Sequence, residues 1–396
     1  MTQRAWDAER VKEVPFSSIR VVMAEAERLA ALGRKVYHME IGRPDFDTPN
    51  HIKEAAIKAL NAGMVHYSAS LGLPQLCQAI AEKLRRENGI EVNPAGGVLV
   101  GGGVKYVVHS IMQGLINPGD EVLLPDPCWL DYFACVRLAG GVPVSVPLRQ
   151  DNNFQMDPDE VDRLITPRTK MLVVITPQNP TGAVASKENL QALADVAQRR
   201  DILVLSDEIY EKLIYDDAVH YSLASFPGMA ERTITVNGFS KAYAMDGWRL
   251  GYAAAPKELI TPILKVHMSS MSCPTTFTQM GAVAAYTGPQ ECVANMVAEF
   301  DRRRRMIMSA FAEMPDIVCN RPEGAFYFFP NVKAFGLSSL EMSAYLMREA
   351  GIASVPGSAF GEHGEGFIRL AYSDSYENLA EAMVAMREAL ARLSHK

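Results

Sequence analysis

The sequence contains no Cys-x-x-Cys pair, no His-x-x-x-His pair, no apolar run near 18 residues and no surplus of basic charge. Each absence excludes a class of protein. The six cysteines (Cys77, Cys128, Cys135, Cys273, Cys292 and Cys319) are scattered, so they are expected as reduced, mostly buried thiols. The eight histidines form no cluster with them, which argues against a bound metal. A membrane-spanning helix needs roughly 18–20 consecutive apolar residues, and none is present. A net charge of −7 does not supply the basic face that nucleic-acid binding requires. The first ten residues mix charges of both signs and are unlike a secretory signal, so a soluble, cytoplasmic protein is expected. Two phosphate signatures are also missing. No G-x-x-x-x-G-K-[ST] occurs, and Gly101-Gly102-Gly103 fails the dinucleotide pattern because position 106 is tyrosine. There is no internal repeat or low-complexity tract.

What is present is apolar material: 48% of 396 residues, enough for two or three structural units or one large core with an appendage. Between Pro49 and Thr287, helix-like and strand-like segments alternate. Helices are predicted at Pro49–Ala62, Leu73–Asn88, Val104–Ile116, Asp131–Ala139 and Lys187–Arg199. Short apolar runs fall around them, at Val98–Val100, Glu121–Leu124, Val142–Val146, Met171–Ile175, Ile202–Leu205, Thr233–Val236 and Leu250–Ala254. Continuous apolar strands alternating with amphipathic helices are the pattern of an α/β protein, with a mainly parallel sheet buried on both faces. Gly288-Pro289 closes this region. A long helix follows to Met314, and its four arginines, Arg302 to Arg305, read as a solvated face. Beyond it, strands at Gly324–Pro330, Ser354–Val355 and Phe367–Tyr372, with helices at Ser339–Ala350 and Tyr376–Leu393, describe a smaller α+β unit.

In such sheets ligands sit beyond the carboxyl ends of strands, and several chemically capable residues fall there. The glycines 101–103 open a helix whose N-terminus can hold an anion, or they form a plain turn. Lys241 follows a strand; a lysine held in a cleft loses its proton more easily and can form a Schiff base with a carbonyl, whereas a surface lysine does neither. Ser240 and Arg249 supply a hydroxyl and a forked cation suited to phosphate. Asp207 can cap a helix, ligate magnesium or partner a protonated ring nitrogen. Asn179 lies in a turn whose Asn-Pro bond can be cis, and Trp129 can stack on a flat ligand or plug the core. Taken together, a phosphate cradle, a Schiff-base lysine, an acid for a pyridine nitrogen, Asn179 and Tyr210 for a phenolate, and an indole describe one cofactor, pyridoxal phosphate.

These motifs stand in the order found in the class I/II aminotransferases of the aspartate aminotransferase superfamily, fold type I, which the chain resembles from Pro15-Phe-Ser17 to its last helix. The resemblance rests on Gly42-Arg-Pro-Asp-Phe-Asp-Thr-Pro49, Tyr67-Ser-Ala-Ser-Leu-Gly72, Asn179-Pro-Thr-Gly182, Ser206-Asp-Glu-Ile-Tyr210, Ser240-Lys241, Gly247-Trp-Arg249 and Phe367-Ile-Arg-Leu-Ala371. It implies a large cofactor-binding domain at 49–287 built on a seven-stranded sheet. Residues 288–396 would form a small domain, and residues 1–48 an arm and part of that small domain. It further implies a homodimer with the active site at the subunit interface. By likeness, Lys241 holds the cofactor and moves the substrate proton, Asp207 keeps the ring nitrogen protonated, and Asn179 with Tyr210 binds the phenolic oxygen. Trp129 would stack on the ring. Gly103, Val104 and Lys105, with Ser240 and Arg249, would surround the phosphate, and Tyr67 would reach the partner subunit's phosphate. Arg369 would grip the substrate carboxylate, with Gly42 beside it and Trp129 and Asn179 lining the substrate side.

The activity so implied is transfer of an amino group from an α-amino acid to a 2-oxo acid by a ping-pong mechanism. A carbon–sulfur lyase or other eliminating enzyme on the same site is the alternative, and a non-catalytic cofactor-binding regulator a third. Some positions depart from the pattern. Val104, Tyr106, His109, Cys128 and Asp246 stand where other residues are usual, and Tyr106, His109 and Asp246 read as packing or local hydrogen-bonding groups. A dicarboxylate substrate would need a second cation, for which Arg20, Arg43 and Lys105 are the candidates.

Overall fold

A computed structural model describes residues 6–394, apart from Pro15 and Ser17, so two residues of the Pro15-Phe16-Ser17 motif lie outside the described residues. The chain builds a seven-stranded sheet from β1 (Val98–Gly101), β2 (Glu121–Asp126), β3 (Val142–Pro147), β4 (Thr169–Ile175), β5 (Leu203–Asp207), β6 (Thr233–Gly238) and β7 (Gly251–Ala254). Their spatial order is β1-β7-β6-β5-β4-β2-β3. Pairing is parallel from β6 through β3, while β7 runs antiparallel to both β1 and β6. All seven predicted runs are strands of this sheet.

The strands are apolar at successive positions because helices cover both faces. Side chains alternate across a strand. Leu123, Leu172, Val174 and Val204 therefore meet Leu190, Leu193 and Ala197 of the helix Lys187–Arg199 on one side. Val122, Leu124, Met171 and Val173 meet Val107 and Ile111 of the helix Val104–Leu115 on the other. Each such side chain, fully buried, contributes about 1.5–3 kcal/mol.

The rest of the chain forms a second cluster around the helices Glu291–Ala312, Ser339–Ala350 and Tyr376–Ser394. It carries a three-stranded antiparallel sheet of Val355–Pro356, Ile368–Ala371 and Tyr327–Phe328. Tyr37–His38 pairs in parallel with Ile352–Ala353, which brings the N-terminal region onto this cluster. The helix Ser339–Ala350 has the predicted bounds because both ends are specified. Ser338 and Glu341 form a reciprocal capping box, and Gly351 ends the helix at φ +68°.

One expectation is corrected. The arginine run does not form a solvated face: Arg303 and Arg304 are buried, Arg304 at 0% exposure. Four consecutive helical residues turn through most of a circle, so they cannot share one face. Arg304 donates to Asp301 at 2.6 Å, Asp216 at 2.6 Å and the Pro322 carbonyl at 2.8 Å. Arg303 donates to Asp45 at 2.7 Å and Glu299 at 2.9 Å. Only Arg302 and Arg305 remain outward, and both are ion-paired.

Candidate active site

The site residues converge because their segments end at one edge of the sheet. Gly101–Gly103 leave β1, Asp126–Trp129 leave β2, Thr176–Asn179 leave β4, Asp207–Tyr210 leave β5 and Gly238–Lys241 leave β6. The antiparallel β7 starts at that same edge, which places Arg249, two residues before it, among them. A cavity of about 270 Å³ opens there. Gly42, Val104, Lys105 and Trp129 line it, as do Asn179, Asp207, Tyr210, Ser240, Lys241, Arg249 and Arg369. Gly103 stands directly behind Arg249. Gly103 and Tyr67 are the two expected site residues that do not line the cavity, and Tyr67 is 90% exposed.

Lys241 Nζ donates to the Gly42 carbonyl and lies 5.8 Å from the ring centres of both Tyr210 and Phe326. Burial lowers its pKa to about 8, and the neighbouring guanidinium of Arg369 acts in the same direction while Asp246 opposes both. A lysine so placed is a usable nucleophile and base near neutral pH. Asp207 is the reverse case. Burial raises its carboxyl to about 6, against the hydrogen bonds from Tyr132 and from the Ile209 amide. The Tyr132 hydroxyl donates to Oδ2 at 2.6 Å, and the Ile209 N–H to Oδ1 at 3.2 Å.

Arg369 is fully buried between the rings of Tyr327 at 4.6 Å and Phe360 at 5.0 Å. Its Nη1 donates to Asn179 Oδ1 at 3.3 Å and its Nη2 to the Glu40 carbonyl, while its Nε has no partner among the described residues. A buried donor without a partner is costly and marks a place for an acceptor. Because Asn179 Oδ1 is engaged by Arg369, its Nδ2 is left to donate. Tyr210 and Tyr327 share a hydrogen bond of 2.7 Å, and a Cβ on Gly42 would lie 2.5 Å from the Tyr327 hydroxyl.

The phosphate-like cradle is equally concrete. No side chain caps the helix Val104–Leu115, so its first N–H groups remain available to an anion. Gly103, at φ +92°, admits the Arg249 guanidinium, since a Cβ there would lie 2.4 Å from Nη2. Gly251 likewise lets the helix start approach, because a Cβ there would lie 2.5 Å from the Val104 nitrogen. Arg249 donates to the Asp246 carbonyl at 2.8 Å and the Gly102 carbonyl at 3.2 Å, which aims it across the helix start. An uncapped helix, a guanidinium, a hydroxyl, a buried carboxyl and a lysine of lowered pKa fit a phosphorylated pyridine aldehyde.

Some contributors were missed in the sequence. Tyr132, Tyr327 and Ile19 sit inside ordinary helical or apolar runs that carry no chemical signal. Asp246, read as a packing or local hydrogen-bonding residue, accepts from Arg249 through its carbonyl and also lines the cavity. Tyr106 does make local contacts, with its hydroxyl 2.6 Å from Ser270 Oγ and its ring 5.6 Å from that of His267. The Asn179-Pro180 bond is cis, as are Asp126-Pro127 and Thr176-Pro177. Of the three candidate second cations, Lys105 lines the cavity and Arg20 and Arg43 do not.

The aminotransferase class I and II family matches residues 34–386. The chain is 46% identical to an aspartate aminotransferase of Pyrococcus abyssi over 364 residues, covering 91% of this chain and 93% of that one. It is 41% identical to an aromatic-amino-acid aminotransferase of Thermococcus litoralis over 385 residues, covering 97% and 98%. The solved aspartate aminotransferase of Thermus thermophilus with maleate superposes at a TM-score of 0.93, with 39% identity and coverage of 98% and 100%. The chain therefore belongs to the class I and II aminotransferases, and its sheet and helices have the fold type I architecture of that family. It is a pyridoxal-phosphate-dependent transaminase that moves amino groups between amino acids and keto acids; elimination is not favoured. No helix among the described residues is long and apolar enough to cross a membrane.

Proposed function

We propose that the enzyme works by a ping-pong cycle in which an acidic or aromatic α-amino acid leaves as its 2-oxo acid before a second 2-oxo acid takes up the nitrogen. The observation that carries this reading is the single cavity holding Lys241, Asp207, Arg249 and Arg369 together. Pyridoxal phosphate supplies the electron sink when bound. The remaining work belongs to side chains. Arg369 fixes the substrate carboxylate through its forked donors. Lys241 is the covalent anchor and then takes the α-proton and returns it. Asp207 would support positive charge on the ring nitrogen, Asn179 and Tyr210 would donate to the phenolic oxygen, and Trp129 would offer an aromatic surface to the ring. The amides of Gly103, Val104 and Lys105, with Ser240 and Arg249, bind phosphate.

For the substrate side chain we assign Lys105. Its ammonium lies 2.8 Å from Asp131 and 5.6 Å from the Trp129 ring centre, so it can turn toward a second carboxylate or leave the indole to an aromatic ring. Lys105→Ala should lower kcat/KM for aspartate about tenfold while changing that for an aromatic donor little. Equal losses for both would overturn the assignment. The same reading pairs two chains, with Tyr67 reaching across to the other subunit's phosphate; its 90% exposure supports this. It divides the chain into an arm and part of the small domain at 1–48, a large domain at 49–287 and the rest of the small domain at 288–396, and places the enzyme in the cytoplasm. The decisive experiment is spectroscopic: the visible band of the enzyme should bleach with aspartate or an aromatic donor and return with 2-oxoglutarate.

A further inference from the structure

Asp126 ends β2 with its carboxylate 1% exposed. Its Oδ1 accepts from the backbone N–H of His363 at 3.2 Å, and its Oδ2 lies 3.2 Å from His363 Nδ1. A buried carboxylate is tolerated only when hydrogen-bonded, and both side-chain oxygens here depend on one residue of a distant loop. That loop closes directly over the carboxylate: a Cβ on Gly361, at φ +128°, would lie 1.9 Å from Oδ1. The same two segments are tied again where the Cys128 N–H donates to the Phe360 carbonyl at 2.8 Å. Phe360 is buried against the Arg369 guanidinium at 5.0 Å, and Cys128 precedes Trp129 in the cavity wall.

We propose that Asp126 and His363 form a clip that holds the loop 357–366 on the end of β2 and so positions Phe360 and Arg369 for carboxylate binding. Neither residue lines the cavity, so both act through others. The inference rests on the reading of Arg369 as the carboxylate-binding arginine. The imidazole of His363 is well placed to be deleted, because it is 42% exposed and its removal leaves no large void.

The test compares His363→Ala, Asp126→Asn, the double variant and His363→Asn as holoenzymes, with Arg369→Gln in the same series. Steady-state kcat and KM for an amino donor are measured alongside spectral titration with maleate, an unreactive dicarboxylate. The clip predicts about a tenfold rise in KM and in maleate Kd for His363→Ala, with kcat within about twofold and an unchanged visible band. The double variant should be no worse than the worse single one, since both remove the same contact. His363→Asn, whose amide nitrogen reproduces the Nδ1 donor, should recover most of the loss. An unchanged KM in His363→Ala while Arg369→Gln raises it overturns the clip alone. If Arg369→Gln leaves KM unmoved, the reading of Arg369 fails and the clip with it. Should Asp126→Asn not fold, the two His363 variants still decide.

Discussion

Replacing Tyr132 by phenylalanine tests whether Asp207 is held in tune by one hydroxyl. The bond is 2.6 Å long, buried, and directed at the carboxylate. A hydrogen bond to a charged group contributes about 1.5–3 kcal/mol, which corresponds to roughly ten- to hundredfold in the balance between ionised and protonated carboxyl. The sign follows from which form is bonded. Burial has already raised the Asp207 carboxyl to about 6, and Tyr132 pulls the other way by donating to the ionised form. Phenylalanine cannot donate, so the carboxyl holds its proton to higher pH. At neutral pH half or more of it is then protonated, and it supports a protonated ring nitrogen less well. Tyr132→Phe should lower kcat about tenfold or more near pH 7, and raising the pH should recover part of the loss. KM for the amino donor should stay close to its original value, because Arg369 is untouched. The assay is a kcat–pH profile with the cofactor's visible spectrum recorded across it. A profile whose acid limb stays in place, with kcat lowered equally at every pH, would refute the reasoning.

Asp246 is the strongest charge opposing the burial effect at Lys241. Asp246→Asn should therefore lower the lysine pKa below about 8. The cofactor-free variant should turn yellow with added pyridoxal phosphate at lower pH than the parent, because more of the amine is neutral; an unmoved or raised midpoint would count against it. Arg304→Met should cost about 3 kcal/mol in urea unfolding, since Asp216 and Asp301 lose a buried partner. Arg302→Met, at an exposed pair with Glu299, should leave the urea midpoint close to that of the parent.

The sheet was legible because seven apolar runs are bounded by turn residues and separated by helical periodicity. The candidate site was legible because nearly every residue proposed for it follows such a run. Lys241, Asp207 and Asn179 are each conspicuous at a strand end. Tyr132 and Tyr327 were not, because a tyrosine inside an apolar helix or strand looks the same whether it packs or donates. The pairing of Tyr37–His38 with Ile352–Ala353 joins two-residue strands more than three hundred positions apart, too short for any periodicity to register. The arginine run misled because a charge count ignores the helical turn between neighbours. The Asp126–His363 contact joins segments whose proximity only the fold creates.

We assign to Lys241 both the holding of the cofactor and the passing of the proton, and a visible spectrum decides whether it does so. The purified enzyme is loaded with pyridoxal phosphate, and its visible spectrum is followed on adding aspartate and then 2-oxoglutarate, beside the Lys241→Ala variant. The yellow band should bleach with the amino acid and return with the oxo acid, and Lys241→Ala should show neither the lysine-bound band nor turnover. An unaltered band and full cycling in Lys241→Ala would contradict the account.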